Sequence, residues 1–277
     1  HKLGNVVVNN TDNLLISSFV GVVSAGVYSN YFLIIGSVIQ VLDQALQGVT
    51  ASVGNLGAME VEEKVQNVFG LLFFIGQWVY GFAAICLFEL LNPFVELAFG
   101  KKYLFTREIV LILCVNFFIN GTRKAVIIFK ESMGAFWYDR YKAVVEAALN
   151  LVISIVLVLK FGIFGVFAGT FFSTVLTSVW VEPYILFKYR FRQSPAKFYL
   201  RYAGNVLMMA VAWGFTDLCC SAFHAGAFIN LVVRLAICVV IPNIFLWIVY
   251  CRTDEWQEVF GLIKRIIGRI WMKVKKN

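Results

Sequence analysis

Residues 5–19 read NVVVNNTDNLLISSF. The stretch is apolar enough to enter a bilayer, yet Asn5, Asn9, Asp12, Asn13 and Ser17 recur at i, i+4, i+7, i+8 and i+12. That spacing puts them on one face of a helix. Val7, Val8, Leu14, Leu15 and Phe19 cover much of the rest. An Asp in the middle of a membrane helix costs about 2.5–3.5 kcal/mol on insertion scales. A helix that tolerates it turns that face to protein or to water. Two readings follow. The face lines a polar cavity inside a helical bundle, or it is a polar stripe that glues helices together.

The rest of the chain supplies the setting. It is 60% hydrophobic and 14% charged, with a mean hydropathy of +0.80. A soluble domain is closer to 45–50% apolar and about 25% charged. The expected fold is therefore all-α, a polytopic membrane helical bundle of about eight transmembrane helices. The spans are roughly Val6–Val23, Ala25–Leu46, Val68–Leu91, Ile109–Phe129, Ala143–Leu159, Ile163–Ile185, Ala203–Leu218 and Phe228–Tyr250. Each approaches the ~20 residues that cross a hydrocarbon core. The second is expected to continue past Leu46 toward Asn55.

Net charge is +8, and topology accounts for it. With the N-terminus inside, nineteen of the 24 Lys and Arg fall in inner segments and four in outer ones, with Arg234 inside a span. Such a bias places both ends in the cytoplasm, and leaves no solvated basic patch for nucleic acid. The chain opens on His1 with no signal-peptide pattern, so a fragment of a longer protein is expected. Six cysteines lie in apolar runs and read as small buried hydrophobes. Two His are too few for a metal cluster. No G-x-x-x-x-G-K-[ST], H-E-x-x-H or G-x-S-x-G occurs, so neither catalysis nor a cofactor is expected. Asn9-Asn10-Thr11 and Asn120-Gly121-Thr122 match the glycosylation pattern but fall inside spans.

Two connections stand out. Asn92–Arg107 reads as a short helix at the outer surface, ended by Gly100. From Thr253, Asp254 and Glu255 open a helix with Trp256, Phe260, Ile263, Ile267, Ile270 and Val274 on one face and Lys264, Arg265, Arg269 and Lys273 on the other. This reads as a basic amphipathic helix drawn to anionic lipid, with docking on a partner as the alternative.

Polar stripes recur. The second span carries Asn30, Ser37, Gln40, Gln44, Gln47 and Asn55 within about a quarter of the helical wheel. The fourth carries Asn116, Asn120, Arg123 and Lys124; the fifth Glu146, Asn150 and Ser154; the sixth Thr170, Ser173, Thr174, Thr177, Ser178 and Glu182. Five stripes in one chain point to a shared aqueous cavity. Asp12 is the leading ionisable candidate within it. Glu146 lines it too, or snorkels and pairs with Lys142 four residues earlier. Asp43 reads as interfacial. Arg123 and Lys124 either bind a substrate phosphate or mark the inner boundary. Arg234 and Asp217 flank one outer connection and are expected to pair.

The run Asn10-Thr11-Asp12-Asn13-Leu14-Leu15-Ile16-Ser17, then Phe19-Val20-Gly21 and Ala25-Gly26-Val27-Tyr28-Ser29-Asn30-Tyr31, resembles the start of the second half of Wzx-type polysaccharide flippases. These belong to the multidrug/oligosaccharidyl-lipid/polysaccharide exporter superfamily. Phe187-Lys188-Tyr189 through Ser194-Pro195 to Tyr202 looks like the linker before an extra helical pair. The resemblance implies a six-helix C-terminal transport lobe at residues 1–190, two additional helices at 191–251 and the basic tail at 252–277. It also implies a missing N-terminal lobe of the same protein, a bacterial inner membrane, and glycan polymerase machinery as a neighbour. The implied activity is alternating-access transfer of an undecaprenyl-diphosphate-linked oligosaccharide. Asn9, Asp12, Asn13, Asn30, Gln40, Gln44, Asn116, Asn120, Arg123 and Lys124 would contact that substrate. Lys2 is a further candidate for its diphosphate. Asp12 and then Glu146 would couple transport to an ion. The competing readings are a cation-coupled multidrug antiporter of the same superfamily, a flippase for another lipid-linked precursor, a membrane-embedded glycan polymerase or ligase, and a structural bundle.

Overall fold

The computed structural model describes residues 11–59, 62–223, 226–261 and 264. The chain is an all-α, multi-pass membrane protein, and no strand occurs among the described residues. We call helical residues 11–20, which end in the π-turn Ile16–Val20, α1. The helices that follow are α2 (Val22–Met59), α3 (Glu62–Phe99), α4 (Arg107–Thr122), α5 (Lys124–Ser132), α6 (Lys142–Phe161), α7 (Ile163–Leu176), α8 (Ser178–Tyr189), α9 (Ala196–Ser221) and α10 (Ala227–Tyr250).

Seven segments are long and apolar enough to cross a membrane: Val22–Leu46, Glu62–Phe99, Arg107–Ser132, Trp137–Phe161, Ile163–Tyr189, Ala196–Ser221 and Phe228–Tyr250. They correspond to the last seven expected spans. The first expected span lies partly outside the described residues, as do Asn9 and Lys2. As read from the sequence, the second helix runs on well past Leu46. We call the end of the bundle that holds residues 62, 142 and 196 the basic end, and the opposite one the far end.

Two expected spans are distorted at one residue each, while the backbone ladder runs on through both, Ile127 N–H to Arg123 O and Val181 N–H to Thr177 O, each at 3.0 Å. α4 gives way to α5 at Arg123, where Thr122 Oγ1 donates to Ile119 O at 3.1 Å. α7 gives way to α8 at Thr177, whose hydroxyl donates back to Ser173 O at 2.6 Å. Such back-bonding competes with the helix ladder and bends helices. One expected break is missing. The sequence suggests a separate surface helix within Asn92–Arg107, but α3 continues through Pro93 to Phe99. A proline inside a helix costs about 3 kcal/mol. Packing outweighs that cost here: Leu91 and Val95 are buried, and Asn92 accepts from Tyr31 Oη at 2.6 Å while donating to Phe105 O at 3.0 Å. Gly100, at φ +96°, then ends the helix as expected.

Three apolar clusters hold the bundle. One joins Tyr28, Tyr31 and Ile35 of α2 to Leu87, Leu91, Leu113 and Phe167. At the basic end, Phe69, Phe73, Phe129, Phe191 and Phe198 pack ring against ring. A third cluster seats α9 and α10 on α3 through Phe74, Met209, Leu246 and Tyr250. The expected helix does begin at Asp254. Its Trp256 stacks on Trp78 of this chain at 5.4 Å, and Glu255 pairs with Arg201 at 2.8 Å. The first turn thus docks on the bundle itself. Residues 262, 263 and 265–277 lie outside the described residues.

The tightest contact is the α6–α7 hairpin. Gly162 turns it at φ +58°. A Cβ built on Gly165 would stand 2.2 Å from Leu157 O, and one on Gly169 would stand 2.1 Å from Ser154 Oγ. Small residues four apart let two membrane helices approach backbone to backbone.

Candidate functional site

The hairpin decides where the polar stripes of α6 and α7 go: they face each other. Asn150 Nδ2 donates to Thr170 Oγ1 at 2.9 Å, and Thr170 Oγ1 lies 3.3 Å from Asp12 Oδ1. Toward the basic end, Thr174 Oγ1 donates to Glu146 Oε1 at 3.1 Å and Ser178 Oγ to Glu146 Oε2 at 2.7 Å. Lys142 Nζ donates to Ser178 Oγ at 2.7 Å and stands 3.6 Å from Glu146 Oε2. The seam thus runs from Asp12, beside Asn150, to Lys142, along about 12 Å of helix at 1.5 Å per residue.

The seam ends in a buried charge cradle. Lys142 Nζ also binds Glu182 Oε1. Arg123 grips the same carboxylate with two donors, Nε to Oε2 at 3.0 Å and Nη2 to Oε1 at 2.8 Å. Its third nitrogen, Nη1, donates to Asn120 Oδ1 at 2.9 Å. Glu182 is 1% exposed. A charge so placed is tolerated only when paired and hydrogen-bonded, and the two cations satisfy that condition. About two turns on from Arg123, Lys130 and Asp139 form another buried pair that ties the end of α5 to the segment before α6.

The residues singled out in the sequence separate into three groups. Asp12, Glu146, Asn120 and Arg123 come together along the seam and cradle. Lys124 does not join them. It pairs with Asp43 of α2 at 2.8 Å, and Asp43 also accepts from Tyr80 Oη at 3.1 Å. Asn116 donates to Phe167 O at 2.9 Å, a contact between α4 and α7. The third group is on α2, where Gln40, Gln44 and Ser37 are exposed and Asn30 is half-buried. Asn13 is half-buried on α1, and Asn9 lies outside the described residues.

Sequence reading offers Lys142 as a partner of Glu146, a contact present at 3.6 Å, and sets Glu182 at the end of a Ser/Thr stripe. It misses that Glu182 draws Arg123 and Lys142 together. The available signal was a lone carboxylate between Val181 and Pro183, four residues after Ser178. The expected pairing of Arg234 with Asp217 is also replaced. Arg234 Nη1 binds Glu89 Oε2 at 2.9 Å, while Asp217 pairs with Arg107. Arg107 also stands 3.7 Å from Glu89 Oε1.

Two cavities adjoin this machinery. An almost wholly apolar cleft of about 540 Å³ runs between α3, α4, α7, the start of α8, and α9, walled by Ala84, Phe88, Val115, Phe171, Val206 and Trp213. A small void of about 10 Å³, room for one water, touches Arg123, Thr122 and Pro183. Both voids share Val179 and Tyr202 as wall residues. Among the described residues no group of His, Cys, Asp and Glu is arranged to hold a metal ion. Comparisons with protein-family models, with curated proteins and with solved structures find no match for this chain.

Proposed function

We propose that this chain is the C-terminal lobe of a bacterial inner-membrane flippase for an undecaprenyl-diphosphate-linked oligosaccharide, with both of its ends in the cytoplasm. Residues 191–251 add a helical pair to the lobe, and an N-terminal lobe of the same protein completes the cavity. The observation that supports this most is on α2, where the amides of Gln40 and Gln44 are exposed beside Leu33 and Val41 along a segment apolar enough to span a bilayer, while Ser37 donates its hydroxyl to Leu33 O at 2.8 Å. Hydrogen-bonding groups facing acyl chains are costly. The amides therefore belong against water, a polar ligand or another polar protein surface. A sugar chain meets them with hydroxyls of matching chemistry.

The charges fit alternating access. Arg123 and Glu182 flank two helix distortions, at residues 123 and 177, so a shift of α5 or α8 changes their distance. Asp12 at the other end of the seam is the residue for a coupling ion, followed by Glu146.

One observation favours a second reading, a cation-coupled multidrug antiporter. Arg123 and Lys124 are both neutralised by carboxylates of this chain, which leaves neither as a standing anion site. A complementation experiment separates the two. The full-length gene in a flippase-null host restores surface glycan on the first reading, and Gln40→Leu with Gln44→Leu abolishes it. Drug resistance without glycan selects the second.

A further inference from the structure

We propose that Glu182 is a built-in stand-in for the substrate's phosphate: its carboxylate occupies an anion site formed by Arg123 and Lys142, and substrate binding takes Arg123 away from it. This deepens the flippase reading and rests on it for the identity of the anion.

The geometry carries the proposal. Arg123 presents Nε and Nη2 side by side to the two oxygens of one carboxylate, at 3.0 and 2.8 Å. That planar fork recognises a carboxylate or a phosphate with the same pair of parallel bonds. The carboxylate now in the fork therefore marks where two oxygens of a phosphate sit. A buried guanidinium cannot be left unpaired, so one anion leaves only as another arrives. Glu182 can release Arg123 without being stranded, because Lys142 binds it as well, at Oε1. Lys142 is in turn tied to Ser178 and faces Glu146, so it keeps its place during the exchange. Arg123 lines the small void that meets the apolar cleft at Val179 and Tyr202. Displacement of these two side chains would join the void to the cleft and open the fork to an amphiphile with a phosphate head and an apolar chain.

The test uses the full chain in lipid nanodiscs, with farnesyl diphosphate as the lipid-borne probe and inorganic pyrophosphate as the free one. Glu182→Gln removes the internal anion and keeps the shape. It should bind farnesyl diphosphate about tenfold tighter than the unaltered chain, since a charged competitor for the fork is gone. Adding Arg123→Gln should erase the gain. If Glu182→Gln folds and gains nothing while the unaltered chain binds the probe, the stand-in role is overturned and the flippase reading survives. If no variant binds either probe, both fall. An equal gain with pyrophosphate keeps the exchange but removes the lipid as its source.

Should Glu182→Gln fold poorly, thermal unfolding followed by tryptophan fluorescence becomes the readout. The probe should raise the midpoint of the variant and not of the doubly altered chain. No rise overturns the proposal. Glu182→Asp, which keeps the charge but draws it back from the fork, should give a smaller gain with the same dependence on Arg123, and no gain again overturns it.

Discussion

Glu182 and Glu89 are both buried carboxylates held by two cations, one toward each end of the bundle. Their surroundings differ. Glu182 is gripped by Arg123 and Lys142, whose side chains are 10% and 9% exposed. Glu89 is gripped by Arg234 and Arg107, at 18% and 54%. At the far end, water hydrates part of the cationic charge, and Asp217 supplies a second partner to Arg107. The two arginines there come from the start of α4 and from α10, so the cluster fastens α10 and, through Asp217, α9 to the long α3. In the cradle at the basic end all three charges are nearly buried, and the cations sit on α6 and at the α4–α5 junction. The same chemistry is thus a fastening at the far end and, on the proposal above, an arrangement of exchangeable partners where α4–α5 and α7–α8 are distorted.

Mutations should separate the two. Glu182→Ala strands two buried cations and is expected to cost about 3–5 kcal/mol of stability, read from denaturant unfolding in mixed micelles. A loss below that of Glu89→Ala would end the comparison as drawn. Next comes Gly169→Val, which forces α6 and α7 apart where Ser154 leaves no room. Overpacking of this kind costs about 1–3 kcal/mol. Added cysteines at the mouth of the hairpin should then become reachable by thiol reagents.

At the far end, Arg234→Gln should cost about 1.5–3 kcal/mol, as expected when a hydrogen bond to a charged group is lost. Arg107→Gln should cost less than about 1 kcal/mol, since its side chain is half in water. Only the Arg107 effect should shrink markedly in high salt. The smallest effect belongs to Lys124→Met, whose pair with Asp43 is about one-third exposed on both sides and is worth under about 1 kcal/mol. A larger loss would mean that Lys124 shares the cradle's role.

These contrasts also mark how much the sequence disclosed. Hydropathy and the spacing of Asn, Asp and Ser made the membrane class and most helices legible, because both signals are local. Arg234 and Asp217 are close in sequence and invited pairing, yet Arg234 binds Glu89, 145 residues away. Nothing local encodes that choice. Pro93 looked like a helix boundary for the same reason: its cost is local, while the burial of Leu91 and Val95 that outweighs it is tertiary. The stripes of α6 and α7 were visible as stripes. That they close on each other depends on Gly165 and Gly169, whose role appears only when the two backbones are side by side.

One feature of α2 is its length. The helix continues from Leu46 to Met59, roughly 20 Å past the end of its apolar run at 1.5 Å per residue. Near that tip, Val53 is buried with Val65 and Phe129 in the aromatic cluster. If Gln40 and Gln44 meet a ligand, as proposed, a tilt of about 10° there would move the tip, roughly 22 Å beyond Gln44, by about 4 Å. Occupancy at these residues would thereby become a mechanical signal at the basic end.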